Sequence, residues 1–198
     1  MPKPRPRLFD ANAVAKLNAM TDRKAAGGHH EWVDRFGKHQ AFEGLLHPFW
    51  VALEAIWPPP LAVALWKPTG NRTEAELLIQ FLEEDPFFFR SGYAKQVAIQ
   101  RLKKFELTAS QRDRVTQVCL DKVDGEFRRE FRDYIRLAFQ FVPPDVLLPQ
   151  LVARLESPDP GVRIRATWML CKLARSWQNL KRPEFKSVDC KKVLGRNF

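Results

Sequence analysis

Residues 146–174 have the sequence VLLPQLVARLESPDPGVRIRATWMLCKLA, and they decide the fold. Leucines recur at helical spacing ahead of Asp159-Pro160, and Ala166 and Leu170 continue that spacing behind it. The stretch therefore predicts a helical hairpin whose second helix runs from Val162 to about Trp177.

Two similar helical pairs are predicted between residue 73 and the PPD sequence at 143–145. Their apolar positions form four stripes: Leu77, Leu78, Phe81 and Leu82; Tyr93, Val97, Leu102 and Phe105; Val115, Val118 and Cys119; Phe127, Phe131, Tyr134, Ile135 and Ala138. Val97, Tyr134 and Leu170 occupy matching parts of the three second helices, at a period of roughly 36–37 residues. A repeat of that size predicts stacked helix pairs, each burying its apolar stripe against its neighbours.

Capping signals predict where these helices begin. Capping boxes are predicted at Thr73/Glu76 and at Ser110/Asp113, and Ser91 is a predicted serine cap. Asp85-Pro86 is predicted to stop one helix and to start the next, and Asp124-Gly125 is predicted to form a turn. The Asp-Gly turn is expected to lead directly into the long helix that carries Phe127.

The last hairpin resembles a HEAT repeat. The resemblance rests on the leucine-rich first helix, Asp159-Pro160, Val162-Arg163 and the spacing of Ala166, Leu170 and Leu173, and it covers about 146–177. The two earlier hairpins match in length and helix pattern but lack the D-x-x-V-R element, and residues 1–72 do not match. The resemblance implies an all-α, HEAT-like right-handed α-solenoid of about three helical hairpins with a helical N-terminal cap. It also implies that Arg163 joins a structural Asp/Arg pairing.

Four segments are predicted along the chain. They are a basic N-terminal segment with one short helix at 1–40, a helical cap at 41–72, HEAT-like repeats at 73–179, and a basic C-terminal tail at 180–198. Asp10 is expected to cap the short helix, and AAGGHH at 25–30 is expected to end it. Pro48 is expected to begin a new helix, and the terminal segments are expected to be mobile extensions.

The positive charge is unevenly distributed. The chain has 33 Lys and Arg against 23 Asp and Glu, a net charge of +10. Residues 1–40 carry 8 basic and 4 acidic residues, and residues 180–198 carry 6 and 2. Most of the excess therefore lies near the ends, so the overall charge alone is weak evidence for nucleic-acid binding.

No signature of catalysis is present in the sequence. The chain lacks a GxSxG elbow, a P-loop and a GxGxxG motif, which argues against an enzyme and against a bound cofactor. Cys119 and Cys171 fall on apolar helix faces and are expected in the core. Bacterial alkylpurine DNA glycosylases are also HEAT-like, but the hairpins lack their tryptophan-aspartate cluster. Without a long apolar run or a secretory signal, the expected location is the cytoplasm, with no membrane contact.

A region rich in histidine and tryptophan spans residues 29–66. Its histidines and tryptophans are His29, His30, His39, His47, Trp32, Trp50, Trp57 and Trp66. The histidine spacing matches no recognised metal motif, so no metal site is predicted. The tryptophans either line a small-molecule pocket or cover the open end of the repeats, and the second interpretation is favoured.

Basic residues recur on the predicted second helices. The candidate partner-binding residues are Arg101, Lys104, Arg128, Arg129, Arg132, Arg136, Arg165, Lys172 and Arg175. Second helices line the concave surface of a HEAT-like stack, so these residues predict a positive groove. The alternative is a solvated helix face with pairs such as Arg129 with Asp133.

The leading hypothesis is a non-enzymatic binding or scaffold module. It docks an acidic protein partner in the basic concave groove, as an adaptor or inhibitor. The alternative is a nucleic-acid-binding protein that uses the same groove. Aromatic content separates the two, because single-strand binding requires rings for stacking, and Tyr134, Trp168 and Trp177 are the nearby candidates.

Overall fold

Helices account for all the secondary structure that the computed structural model describes, which is residues 5–31 and 48–179, with side chains at 5–22 and 48–175. The nine helices in these ranges are α1 (Ala11–Glu31), α2 (Pro48–Ala55), α3 (Pro59–Trp66), α4 (Arg72–Glu84), α5 (Ser91–Leu102), α6 (Ala109–Asp124), α7 (Phe131–Phe141), α8 (Pro144–Arg154) and α9 (Pro160–Asn179). The all-α prediction is therefore confirmed.

The chain forms two compact units, Met1–Ala98 and Ile99–Phe198, and the boundary falls inside α5. The four segments predicted from the sequence follow a different division, and their boundaries stay predictions.

The first unit is built around aromatic side chains. The ring of Phe9 is 6% exposed and lies 5.7–5.9 Å, centroid to centroid, from the rings of Trp57, Phe81 and Phe88. Trp57 also meets Trp66 edge-on at 4.9 Å. Because these rings pack on one another, they form one aromatic cluster in which Phe9, Phe81 and Phe88 are buried, whereas Trp57 is half-buried and Trp66 is 48% exposed at its edge.

The segment ahead of α1 is held in place, contrary to the expectation of a mobile extension. The Leu8 amide donates to the Glu84 carboxylate at 2.7 Å, and the Arg5 guanidinium lies 2.6 Å from Glu76. These contacts deliver Phe9 to the aromatic core. The expectation was wrong for residues 5–8 because a single buried phenylalanine can anchor a basic, proline-rich segment.

Helix α1 is longer than predicted. The Asp10 carboxylate caps it by accepting from the Asn12 amide at 2.8 Å, and the helix continues through AAGGHH to Glu31. Two glycines cost about 1 kcal/mol each relative to alanine, but they keep their backbone donors and acceptors, so they do not force an end. Trp32 and all four histidine side chains lie outside the described residues.

Three predicted capping interactions differ in the structure. Helix α4 is capped by Asn71, which accepts from the Thr73 amide, rather than by a Thr73/Glu76 box. The box of α6 is Thr108 with Gln111, two residues before the predicted pair Ser110/Asp113. Asp85 ends α4 in the left-handed region, at φ 44°, as predicted, but it does not start the next helix, because α5 begins at Ser91. Its carboxylate lies 2.5 Å from the fully buried ammonium of Lys95, which compensates that charge.

The second unit contains the packed pairs α6–α7 and α8–α9, and α6 and α7 both also pack against α9. Leu170 is 3% exposed, which confirms the register assigned to α9. Cys119 and Cys171 are buried as expected, and burial raises the pKa of the Cys119 thiol to about 12. Helix α7 begins at Phe131, so the long helix expected from Phe127 is shorter, and Phe127 is 56% exposed ahead of it.

Candidate functional site

A cleft of about 670 Å³ opens in the second unit, formed by α7, α9 and the turn after α5. Its lining residues are Lys103, Arg132, Ile135, Arg136, Phe139, Gln140, Trp168, Lys172 and Leu173. Four of the nine are cationic and none is acidic. We call it the basic cleft.

Helical spacing explains how two helices present matched faces to the basic cleft. On α7, Arg132 and Arg136 are one turn apart, and both are exposed. On α9, Trp168 and Lys172 have the same separation. Side chains four residues apart lie on one face of a helix, so each helix contributes a short row to the lining.

Lys103 is positioned by the end of α5. The Gln140 amide on α7 donates to the Lys103 carbonyl at 3.0 Å, which ties the turn to the cleft wall. The pKa of Lys103 is lowered from its usual 10.5, first by burial and second by the nearby Arg136 guanidinium, while Asp133 opposes the shift. The cleft therefore holds cations close enough to repel one another.

Asp133 supplies a local counter-charge on α7. Its carboxylate, 10% exposed, lies 3.0 Å from the Arg136 guanidinium. The alternative interpretation of the basic face had paired Asp133 with Arg129, whereas in the structure Asp133 pairs with Arg136. Arg132 has no ion pair among the residues whose side chains are described, so it faces the cleft as an uncompensated cation.

Trp168 adds an aromatic surface to the lining. Its ring centroid lies 5.5 Å from that of Phe127 and 5.7 Å from that of Phe131, with small interplanar angles of 30° and 33°. The two phenyl centroids are only 5.9 Å apart. Because the three distances are nearly equal, both phenyl rings lie on the same side of the indole.

Three of the nine residues predicted for the groove line the basic cleft: Arg132, Arg136 and Lys172. Five others do not line it: Arg101, Lys104, Arg128, Arg129 and Arg175. Arg128 and Arg129 precede α7 rather than lying on it. Of the arginines spaced four residues apart at 128, 132 and 136, only Arg132 and Arg136 therefore lie on the helix. A part in partner binding stays a prediction for all of them.

Arg165 requires a correction, because it was expected to face solvent and is 8% exposed. Its Nε donates to the Val123 carbonyl at 2.7 Å, and its Nη2 lies 4.0 Å from the Asp159 carboxylate. Val123 is in the last turn of α6, where carbonyls have no helical partner and a cation is favourable. Arg165 is thus a structural clamp between α9 and α6.

Arg163, expected to pair with aspartate, instead donates to the carbonyls of Ser157 and Pro158 at 2.7 and 3.1 Å. In this hairpin, Arg165 is the arginine that approaches the Asp159 carboxylate.

Sequence reasoning missed Lys103, which lines the cleft, and proposed its neighbour Lys104. The predicted helix was extended to Phe105, whereas α5 ends at Leu102. Past a helix end the side-chain directions no longer follow helical spacing. A prediction that α5 ends at Leu102 would have placed Lys103 in the turn that lines the cleft.

In the described part of the chain, no three His, Cys, Asp or Glu side chains are grouped to hold a metal ion. In the same residues, no single helix has the length and hydropathy to cross a bilayer. Helices α2 and α3 reach that length and hydropathy only together, as a pair bent by 89°. No protein-family model, no curated protein and no solved structure matches this chain.

Proposed function

We propose that this protein is a non-enzymatic binding module, an adaptor or inhibitor, that docks an acidic protein partner in the basic cleft. The observation that supports it is the lining of the cleft, with four cationic side chains and no carboxylate. Such a surface attracts an acidic partner and fixes its register.

The proposed architecture is a HEAT-like right-handed α-solenoid. Its support is the sequence of the α8–α9 hairpin together with the packing of the α6–α7 and α8–α9 pairs. In such a stack, the second helices α7 and α9 line one surface, which agrees with the two rows that face the basic cleft.

Nucleic-acid binding is the second candidate, and Trp168 is the observation that favours it. Trp168 is half-buried in the cleft lining, and a base can stack on the part of an indole that faces phosphate-binding cations. However, Tyr134 is 1% exposed and is unavailable for stacking, and the Trp177 side chain lies outside the described residues. Of the three rings predicted for stacking, Trp168 is the one that lines the basic cleft, which favours a protein ligand, since single-strand binding uses a succession of stacked bases.

Charge reversal of exposed cleft residues tests the proposal. The double variant Arg132→Glu, Lys172→Glu is expected to keep its fold and to lose the partner captured from native cells. Arg112→Glu is the matched control, because Arg112 is an exposed arginine on α6 outside the lining. Circular dichroism and thermal unfolding verify folding of both variants.

Nuclease treatment during capture separates the two candidates. A protein partner is retained after nuclease treatment, whereas nucleic acid or proteins bridged by it are lost. A nucleic-acid ligand also shows log affinity that falls steeply and linearly with log salt. Capture that is unchanged by the double reversal would remove the basic cleft from both functions.

A further inference from the structure

The apolar part of the lining restricts what the basic cleft accepts. Among its apolar lining residues, Ile135 and Leu173 are buried, and the side chains that present apolar surface to a ligand are those of Phe139 and Trp168, both half-buried. A purely hydrophilic polyanion would leave these side chains against water or against polar atoms. The volume of about 670 Å³ is that of a site for an organic group and far exceeds one inorganic anion. The ligand therefore carries an apolar group as well as negative charge.

The indole of Trp168 indicates the shape of that apolar group. Phe127 and Phe131 cover one side of it, and among the described residues no other ring packs on it. Trp168 also lines the cleft and is half-buried, so part of the indole faces the cleft. Offset stacking or an edge-to-face contact with an aromatic side chain fits such a surface.

The cations that share the lining with this aromatic surface come from three elements. Arg132 and Arg136 come from α7, Lys172 from α9, and Lys103 from the turn after α5. Carboxylates on both sides of a ligand ring can therefore reach cations from different elements. Ligand carboxylates bound there would also reduce the repulsion between Lys103 and Arg136.

We propose that the partner's recognition element is an acidic segment with an aromatic side chain flanked by carboxylates. The ring lies against Trp168 and Phe139, and the carboxylates pair with Arg132, Lys172 and their neighbours. This inference rests on the proposed function and names the chemistry of the partner segment.

Two matched peptides test it. The first is an acetylated, amidated peptide with phenylalanine between two runs of three acidic residues, and the second has serine in place of phenylalanine. In calorimetric titration at 150 mM salt, the phenylalanine peptide is expected to bind about tenfold more tightly or better, because burying a phenyl ring is worth that factor. Its binding is also expected to shift the indole N–H signal of Trp168 in a ¹⁵N–¹H spectrum, assigned with Trp168→Phe.

Variants separate the charge contribution from the ring contribution. Arg132→Gln is expected to weaken both peptides by a similar factor and to keep their ratio, whereas Arg112→Gln changes neither. Trp168→Leu is expected to reduce the ratio. If Trp168→Leu fails to fold, the indole shift with the wild-type chain decides the same point.

The outcomes distinguish this inference from the proposed function. Equal affinities for the two peptides, both lowered by Arg132→Gln, overturn the aromatic element and leave acidic docking intact. Peptides that do not bind, while charge reversal still abolishes partner capture, likewise overturn only the inference. Oligothymidylate that displaces the phenylalanine peptide, with a steep salt dependence, overturns both in favour of nucleic acid.

Discussion

Arginines of the same predicted set have opposite roles at the residue scale. Arg132 is exposed in the basic cleft, whereas Arg165 is buried and donates to the Val123 carbonyl. Arg165→Met is expected to destabilise the fold by about 1.5–3 kcal/mol, because a charge-assisted hydrogen bond is lost and a helix-end carbonyl is left unsatisfied. Arg132→Met is expected to leave the free energy of unfolding nearly unchanged. Urea titrations of the two variants check this, and equal losses would contradict the assigned roles.

Lys103 makes stability depend on pH in a defined direction. Burial and Arg136 lower its pKa below 10.5 in the folded chain, so between the two values the unfolded chain binds more protons. Protonated Lys103 therefore destabilises the folded chain at lower pH. This destabilisation decreases as the pH rises through that window, and it is absent above pH 10.5. Wild-type stability minus that of Lys103→Gln should increase as pH approaches that value in urea titrations. Lys104→Gln, at the exposed neighbour, is the control, and a difference that is constant with pH would contradict the lowered pKa of Lys103.

At the scale of helices, the sequence predicted the parts that depend on local periodicity. The apolar stripe of α9 placed Leu170 in the core, and the turn at Asp159-Pro160 separated α8 from α9. Helix ends were harder, because several capping residues often compete within a few positions. Asn71 and Thr73 are both good caps, and Asn71 is the cap in the structure. The Glu74 carboxylate accepts from the Thr69 and Gly70 amides, and these contacts hold the chain ahead of Asn71 against the first turn of α4.

The candidate site was predictable to a similar degree. Arg132 and Arg136 were found because four-residue spacing is a property of one helix, and Lys172 was found among the basic residues of the last second helix. The clamp made by Arg165 joins residues 42 positions apart, so no local pattern reveals it. Lys103 was missed because its direction depends on where α5 ends.

For the whole molecule, the charge of residues 180–198 and the charge of the basic cleft are expected to affect different steps of binding. Residues 180–198 contribute six basic and two acidic residues to the net charge of +10, while the cleft contributes four cations at one place. Charges outside a contact mainly accelerate association and are screened by salt, whereas desolvated charges control dissociation. Deleting residues 180–198 is therefore expected to slow association with an acidic partner at low salt and to leave the dissociation rate unchanged. Arg132→Glu is expected to accelerate dissociation at every salt concentration. Surface plasmon resonance from 50 to 500 mM salt measures both rates. Complete loss of binding on deletion of residues 180–198 would move the contact surface from the cleft to that segment.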